Sequence, residues 1–145
     1  MENNLFIMKK KKIILTINEL NRITRSIEYA KTIDSPQYRF ISKLKSLLRR
    51  AVIVLPTEIP NSIITLNTKV SLKILPTIDK IELTIMLPED VGVKKNNVSI
   101  LSPIGAALIG HEVGDIVACE FPSGFFQIMV DKIIYQPEAS GHYYQ

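Results

Sequence analysis

The sequence predicts an α+β protein in which a short N-terminal antiparallel helical hairpin (a coiled coil) precedes a small antiparallel sheet domain with one short helix. Two observations carry this prediction. Apolar residues recur with a period of about 3.6 before residue 55 and of about 2 beyond residue 60. Between these stretches, Pro56 and Pro60 remove backbone donors and interrupt any regular element. We therefore divide the 145 residues into a helical hairpin, 1–55, and a sheet domain, 56–145.

The first predicted helix spans 18–32. Thr16 and Glu19 have the spacing of a capping box, in which each side chain binds the backbone N–H of the other residue. Apolar residues then recur at intervals of three and four, as on one face of a helix. They are Leu20, Ile23, Ile27 and Ala30.

The second predicted helix follows the turn sequence TIDSPQ at 32–37. Ser35 suits the N-cap and Pro36 the first helical position, where no backbone donor is needed. A second apolar stripe with the same intervals comprises Ile41, Leu44, Leu48 and Ala51. Two matching stripes predict arms of about 15 residues, each roughly 22 Å long, that pack against each other.

Alternating apolar and polar residues predict the strands of the sheet domain, which we place at 63–75, 78–87, 115–122 and 126–135. Ser123 and Gly124 separate the last two strands and favour a hairpin turn. One short helix interrupts the series. Ser102 is a good N-cap, Pro103 suits the first helical position, and Gly110 is expected to end the helix in a left-handed turn.

The charge is divided between the two segments. Residues 1–55 hold twelve basic and four acidic residues, a net charge of +8, whereas residues 56–145 hold six basic and ten acidic residues, a net charge of −4. We expect the basic face of the hairpin to contact a binding partner and to make at most a weak contact with nucleic acid. This face includes Arg22, Arg25, Lys43 and Arg49. No apolar run approaches the ~20 residues of a membrane span. We therefore expect a cytoplasmic protein that binds no membrane. We also expect it to be a monomer.

Candidate catalytic and metal-binding residues are few. A single cysteine and two histidines exclude a disulfide framework and a zinc site of Cys and His ligands. We predict that Cys119 is a buried, inert thiol, that His111 lies in a surface turn and that His142 lies in a frayed tail. Asp115 is expected to bind turn amides. No glycine-rich nucleotide loop occurs. We predict no catalytic residue, no metal and no cofactor, and hence no enzyme.

One stretch of the sheet domain resembles a known family. NNVSILSPIGAALIGHEVGDIVACEFPSGFFQIMVDKIIY, residues 96–135, resembles the C-terminal domain of bacterial Gre transcript-cleavage factors, and SIITLNTKV at 62–70 resembles the start of that domain. The closing YQPEASG at 135–141 is similar to the Rnk group, named as regulators of nucleoside diphosphate kinase. The resemblance covers nearly the whole chain, with motifs that are specific from 96 to 141 and weak from 1 to 55.

The resemblance implies an FKBP-like C-terminal domain that docks on RNA polymerase at the rim of the secondary channel, and a coiled-coil finger directed at that channel. It also implies that the strand–helix junction bearing the Ser-Pro pair is the polymerase-contacting surface. Here that junction comprises Leu101, Ser102, Pro103, Ile104 and Gly105.

The finger tip departs from the Gre pattern, in which acidic residues help to hold a magnesium ion. The tip here contains Asp34 and Ser35, and the next acid, Glu28, lies more than a turn back along the helix. A magnesium ion needs several oxygen ligands held close together. The resemblance therefore implies polymerase binding, and the single acid at the tip argues against transcript cleavage.

Three alternatives stay open. The first is a cleavage-stimulating elongation factor in which Asp34 suffices. The second is a peptidyl-prolyl isomerase, which the expected fold alone suggests. The third is a generic RNA- or DNA-binding module that uses the basic hairpin, for which steep salt dependence in the absence of polymerase is the expected sign.

Overall fold

The structure is a computed structural model that describes residues 12–33, 41–121 and 123–143. Three α-helices occur in these ranges, α1 (Ile17–Thr32), α2 (Ile41–Arg49) and α3 (Pro103–Leu108). Seven strands accompany them: β1 (Ile14–Thr16), β2 (Val52–Val54), β3 (Lys69–Leu75), β4 (Asp79–Met86), β5 (Asn97–Ser99), β6 (Ile116–Phe121) and β7 (Gly124–Tyr135). The mixed α+β class predicted from the sequence is confirmed.

The strands form two sheets. The larger has the order β5-β4-β3-β7-β6, and the smaller pairs β1 with β2. Neighbours in the larger sheet are antiparallel except β4 and β5, which are parallel. An entirely antiparallel sheet was therefore the wrong prediction at this edge. The hairpin turn between β6 and β7 is confirmed, and Gly124 adopts a φ of 131°.

One hydrophobic core receives side chains from both segments of the chain. Ile23, Ile27 and Ala30 of α1 and Ile41 and Leu44 of α2 belong to the same buried cluster as the inner face of the larger sheet. Leu48 and Ala51 pack against this cluster, so both predicted apolar stripes face the protein interior except at Leu20, which is half-buried and outside the cluster. Packing of the helices on the sheet supplies the burial that such short helices need in order to be stable. Their antiparallel pairing as a coiled coil stays a prediction.

The predicted position of the C-terminal end of the second helix was wrong. The helix α2 ends at Arg49, so Ala51 lies beyond it, and Val52–Val54 instead form β2, parallel to β1. Two β-branched valines and an isoleucine favour an extended backbone. The pairing itself joins Ile14 to Val52, which are 38 positions apart. The spacing of apolar residues over a short window cannot predict such a contact.

The predicted strand at 63–75 is shorter in the structure, because β3 begins at Lys69. Residues 63–68 form a tight loop in which Thr65 N donates to Thr68 Oγ1 and Asn67 has a φ of 68°. Ile64 and Leu66 are nevertheless buried, as the alternation predicted. The alternation of apolar and polar residues thus predicted which side chains are buried. It did not predict the backbone, which the hydrogen bond from Thr65 N to Thr68 Oγ1 bends out of an extended strand.

Gly110 connects the small sheet to the loop at 63–68 that precedes β3. Its φ of 78° confirms the predicted left-handed conformation. Its carbonyl accepts from Ile14 N, and its own N–H donates to Ile64 O. A Cβ at this position would lie 2.7 Å from Cβ of Ile13. Glycine is therefore required twice, for its backbone conformation and for the close approach of β1.

Candidate functional site

The site predicted for partner binding is the turn that leads from β5 into α3. The hydroxyl of Ser102 accepts from Gly105 N at 3.1 Å and donates to Ser99 O at 2.6 Å. Leu101 N in turn donates to Ser99 Oγ at 3.0 Å. The predicted N-cap at Ser102 and the proline at the start of the helix are thus confirmed. These bonds all lie within the seven residues 99–105, so the local sequence holds the turn in one shape.

The five residues of this turn are unequally accessible. Leu101 is 3% exposed and Gly105 is buried, whereas Ser102, Pro103 and Ile104 are half-buried. A Cβ on Gly105 would lie 2.1 Å from Ser99 O, so this position holds the helix against β5. A partner could therefore contact Pro103 and Ile104 directly, with Leu101 and Gly105 supporting them from below. Their docking role stays a prediction.

A groove of about 850 Å³ adjoins this turn and includes Leu101 in its lining. One wall is α1, with Arg22, Arg25 and the exposed Tyr29. The other wall is the turn after β4, which carries Glu89 and Asp90. The two walls thus have opposite charge.

The structure brings two of the four predicted basic residues together. Arg22 and Arg25 line the groove, where Arg22 is half-buried and Arg25 exposed. Lys43 and Arg49 are exposed on α2. Lys43 lies near Cys119, where burial raises the pKa of the thiol and the lysine charge opposes that rise. The four residues therefore belong to a basic segment, and Arg22 and Arg25 are the pair beside the candidate docking turn.

The predicted tip residues, Asp34 and Ser35, lie outside the described residues. The segment before them ends at Ile33, which is 55% exposed and lines the groove. Within residues 12–33, 41–121 and 123–143, no group of three or more His, Cys, Asp or Glu residues is placed to hold a metal ion. In the same ranges, every helix is too short or too polar to cross a membrane.

The predictions for single residues of the sheet domain met different outcomes. Cys119 is buried, as predicted. Asp115 Oδ2 accepts from Glu112 N at 3.0 Å, which confirms its role in the turn. His111 is half-buried. The frayed tail was a wrong prediction, because His142 N donates to Pro137 O and its ring lies 2.6 Å from the hydroxyl of Tyr135.

The sequence predicted the capping box at Glu19 but missed a second contact of the same carboxylate. Oε1 accepts from Thr16 N at 2.9 Å, while Oε2 accepts from Leu66 N at 2.8 Å. Glu19 is 3% exposed. Its side chain therefore ties the start of α1 to the loop before β3. The predicted capping box was the sole sequence signal here, and it pointed to the local bond alone.

The capped turn at Ser102 and all five strands of the larger sheet lie in a segment that matches a known protein family. Residues 59–135 match the family model described as "Transcription elongation factor, GreA/GreB, C-term". The chain belongs to the GreA/GreB transcription elongation factor family.

Its relatives include both groups indicated by the resemblance. "Regulator of nucleoside diphosphate kinase" of Escherichia coli strain K12 is 34% identical over 101 residues, or 69% of this chain and 74% of that protein. "Transcription elongation factor GreA" of Nautilia profundicola is 35% identical over 127 residues, or 86% of this chain and 78% of that protein. The solved structure of a GreA/GreB elongation factor from Nitrosomonas europaea covers 87% of this chain at 28% identity, with a TM-score of 0.71.

Proposed function

We propose that this protein is a non-catalytic transcription regulator that docks on bacterial RNA polymerase at the rim of the secondary channel. The observation that carries the proposal is the GreA/GreB match over 59–135, which contains the whole capped turn at Ser102. In this proposal residues 56–145 are an FKBP-like docking domain, and residues 1–55 are a helical hairpin directed at the channel. The protein acts as a monomer in the cytoplasm, without a cofactor.

The capped turn suits docking because it is rigid before a partner arrives. Ser102 bonds to backbone on both sides, and the close approach at Gly105 fixes α3 against β5. Pro103 and Ile104 then present a partly exposed apolar corner. A preorganised corner loses little conformational entropy on binding. Affinity of this kind depends on the shape and apolar character of the corner.

The docking test replaces Pro103 and Ile104 with glutamate and measures binding to purified RNA polymerase core enzyme. We expect affinity to fall by a factor of about 10 or more, since each buried interfacial charge costs upwards of 1.4 kcal/mol. The matched control is Ile134→Glu, which charges an apolar side chain of β7 that is 42% exposed. Circular dichroism checks the fold of each variant. Unchanged binding by a folded double variant would place the docking surface elsewhere.

A Gre-type factor that stimulates transcript cleavage is the second candidate. The similarity to the GreA of Nautilia profundicola favours it, because that match extends over 86% of this chain and so reaches into the helical segment. Asp34 would then be the tip carboxylate. A single carboxylate is a poor ligand set for a magnesium ion, which is why we prefer the non-catalytic function.

Arrested transcription complexes distinguish the two candidates. We expect the protein to leave the RNA uncleaved, and to inhibit cleavage by an authentic Gre factor in a dose-dependent way because two similar docking domains compete for one rim. Asp34→Ala should change neither result, and Ser35→Ala is its matched control. Robust cleavage that Asp34→Ala abolishes and Ser35→Ala preserves would establish the cleavage factor instead.

A further inference from the structure

The groove beside Leu101 has one wall from each segment of the chain. Six residues of α1 line the first wall, and they recur every three or four positions, as on one face of a helix. They are Arg22, Arg25, Ser26, Tyr29, Ala30 and Ile33. A rise of about 1.5 Å per residue gives this wall a length of roughly 17 Å. The groove is therefore long enough for about three helical turns or about five extended residues of a partner.

The lining of this groove combines buried and exposed apolar side chains. Ala30, Leu87 and Leu101 line the groove and belong to the buried core. Tyr29 and Ile33 also line it, and both are exposed to solvent. A partner that covered these two side chains would remove apolar surface from water, which is favourable. The groove is therefore suited to receive an apolar side chain of a partner.

The charges on the two walls require a partner that carries both signs. Arg25 is exposed on the wall formed by α1, and Glu89 and Asp90 are exposed on the opposite wall. No ion pair or side-chain hydrogen bond links Arg25, Glu89 or Asp90 to another residue of the described ranges. A polyanion such as RNA would be attracted by Arg25 but repelled by the two acids. A polypeptide segment, in contrast, offers acidic, basic and apolar side chains together.

Leu101 joins the groove to the docking turn. It lines the groove, and its N–H donates to Ser99 Oγ within the capped turn, one residue before Ser102. A molecule that occupies the groove is therefore a neighbour of Pro103 and Ile104, the accessible part of that turn. The groove and the turn form one continuous surface.

On the basis of the docking proposed for this turn, we propose that the groove is a second part of the same docking surface and that its occupant is a polypeptide segment of RNA polymerase. This segment places an apolar side chain against Leu101, an acidic side chain against Arg25 and a basic side chain against Glu89 or Asp90. The helix α1 then binds polymerase along its side, in addition to directing the hairpin at the channel. Affinity therefore depends on both segments of the chain.

Charge reversals in the full-length chain test the chemistry of this occupant. Arg25→Glu and Glu89→Lys each place a like charge against the proposed segment, so each should weaken binding to purified RNA polymerase core enzyme by about fivefold at low salt. The matched controls are Lys132→Glu and Glu28→Lys, which make the same changes of charge at exposed positions outside the groove. Both controls should stay within about twofold of wild type. Circular dichroism checks the fold of each variant.

The two reversals also distinguish a polypeptide from a nucleic acid. A polyanion in the groove would bind Glu89→Lys more tightly than wild type, because this variant removes a repelling charge. Tighter binding by Glu89→Lys would therefore overturn the proposal. Wild-type affinity in both reversals, with binding still weakened by the substitutions at Pro103 and Ile104, would refute the groove and leave the proposed function standing. Wild-type affinity in the Pro103 and Ile104 variants as well would refute the docking turn itself.

Photocrosslinking in an assembled transcription complex identifies the molecule that occupies the groove. Tyr29 is replaced by the photoreactive amino acid p-benzoylphenylalanine, and Tyr143, an exposed tyrosine outside the groove, is replaced in the control. We expect the probe at position 29 to crosslink to a polymerase subunit and the probe at position 143 to form no such crosslink. A crosslink from position 29 to RNA or DNA, or to the chain itself, would overturn the proposal. The absence of any crosslink in a complex that still assembles would overturn it as well.

Discussion

Two side chains of this protein, Ser102 and Glu19, cap helices in ways that differ in reach. The hydroxyl of Ser102 satisfies Gly105 N and Ser99 O, both three positions away. The carboxylate of Glu19 satisfies Thr16 N three positions away and also Leu66 N, 47 positions away. The first cap shapes a single turn, and the second joins two segments of the chain.

The two caps also differ in their response to protons. Ser102 is neutral at every pH of interest, so the turn that carries the proposed docking corner keeps its hydrogen bonds. Glu19 is ionisable, and its burial raises its pKa to about 7. The hydrogen bonds of the docking corner therefore involve no titrating side chain, whereas the contribution of Glu19 to stability depends on pH. Four predictions test this comparison.

The largest expected effect is that of Gly105→Ala. Because its Cβ would lie 2.1 Å from Ser99 O and 3.0 Å from Ser99 C, the backbone of β5 or α3 must shift. We expect a loss of at least about 3 kcal/mol in the free energy of unfolding, measured by urea denaturation. The control is Gly92→Ala, where nothing lies within 4 Å but φ is +61°; strain there should cost about 1 kcal/mol. Equal losses would show that α3 is free to move away from β5.

The second prediction concerns stability against pH. The folded chain binds the Glu19 proton more tightly than the unfolded chain, so this stabilisation is full below about pH 4.5 and is lost as pH rises through about 7. At 1.36 kcal/mol per pKa unit, the contribution amounts to about 3 kcal/mol. Urea denaturation gives the free energies of unfolding of wild type and Glu19→Gln at pH 5 and pH 7.5. The contribution of Glu19 appears as the change, between these two pH values, in the difference between the two proteins. An identical pH profile for the two proteins would contradict the prediction, and Glu28→Gln should match wild type.

Ser102→Ala is expected to have a smaller and pH-independent effect. The variant removes the acceptor for Gly105 N and the donor to Ser99 O, and loss of an N-cap costs about 1–2 kcal/mol. Urea denaturation at pH 5 and pH 7.5 should give the same loss at both values. Ser42→Ala, at an exposed position of α2, is the control and should cost less than about 0.5 kcal/mol. A pH-dependent loss in Ser102→Ala would mean that the two caps are coupled.

The smallest effect is expected for the basic residues of the helical segment. Replacing Arg22, Arg25, Lys43 and Arg49 with glutamine should flatten the salt dependence of polymerase binding and change affinity less than the corner variants do, since charges at a rim mainly set association rate. Association rates at several salt concentrations measure the slope. An unchanged slope would show that these side chains face solvent in the complex. The pair Arg22 and Arg25 alone should account for most of the change if the groove beside Leu101 faces the polymerase.

Much of the local structure could be predicted from the sequence, because its causes lie within a few positions. The capping box at Thr16, the N-cap at Ser102 and the left-handed Gly110 each depend on residues three or four apart or on one backbone conformation. The burial of Ile64 and Leu66 followed from alternation even where the strand itself did not form. The family resemblance at 96–141 likewise rests on short motifs in sequence order.

The tertiary structure decided what depends on distant residues. The pairing of β1 with β2, the parallel β4–β5 edge and the ordered turn at Glu138–Ser140 all require partners far away in the chain. The same is true within the candidate docking turn, where burial separates Leu101 and Gly105 from the accessible Pro103 and Ile104. The sequence determined that Glu19 caps a helix. Folding alone placed Leu66 and Glu138 beside it, because burial and long-range hydrogen bonds exist only once the chain has closed around its core.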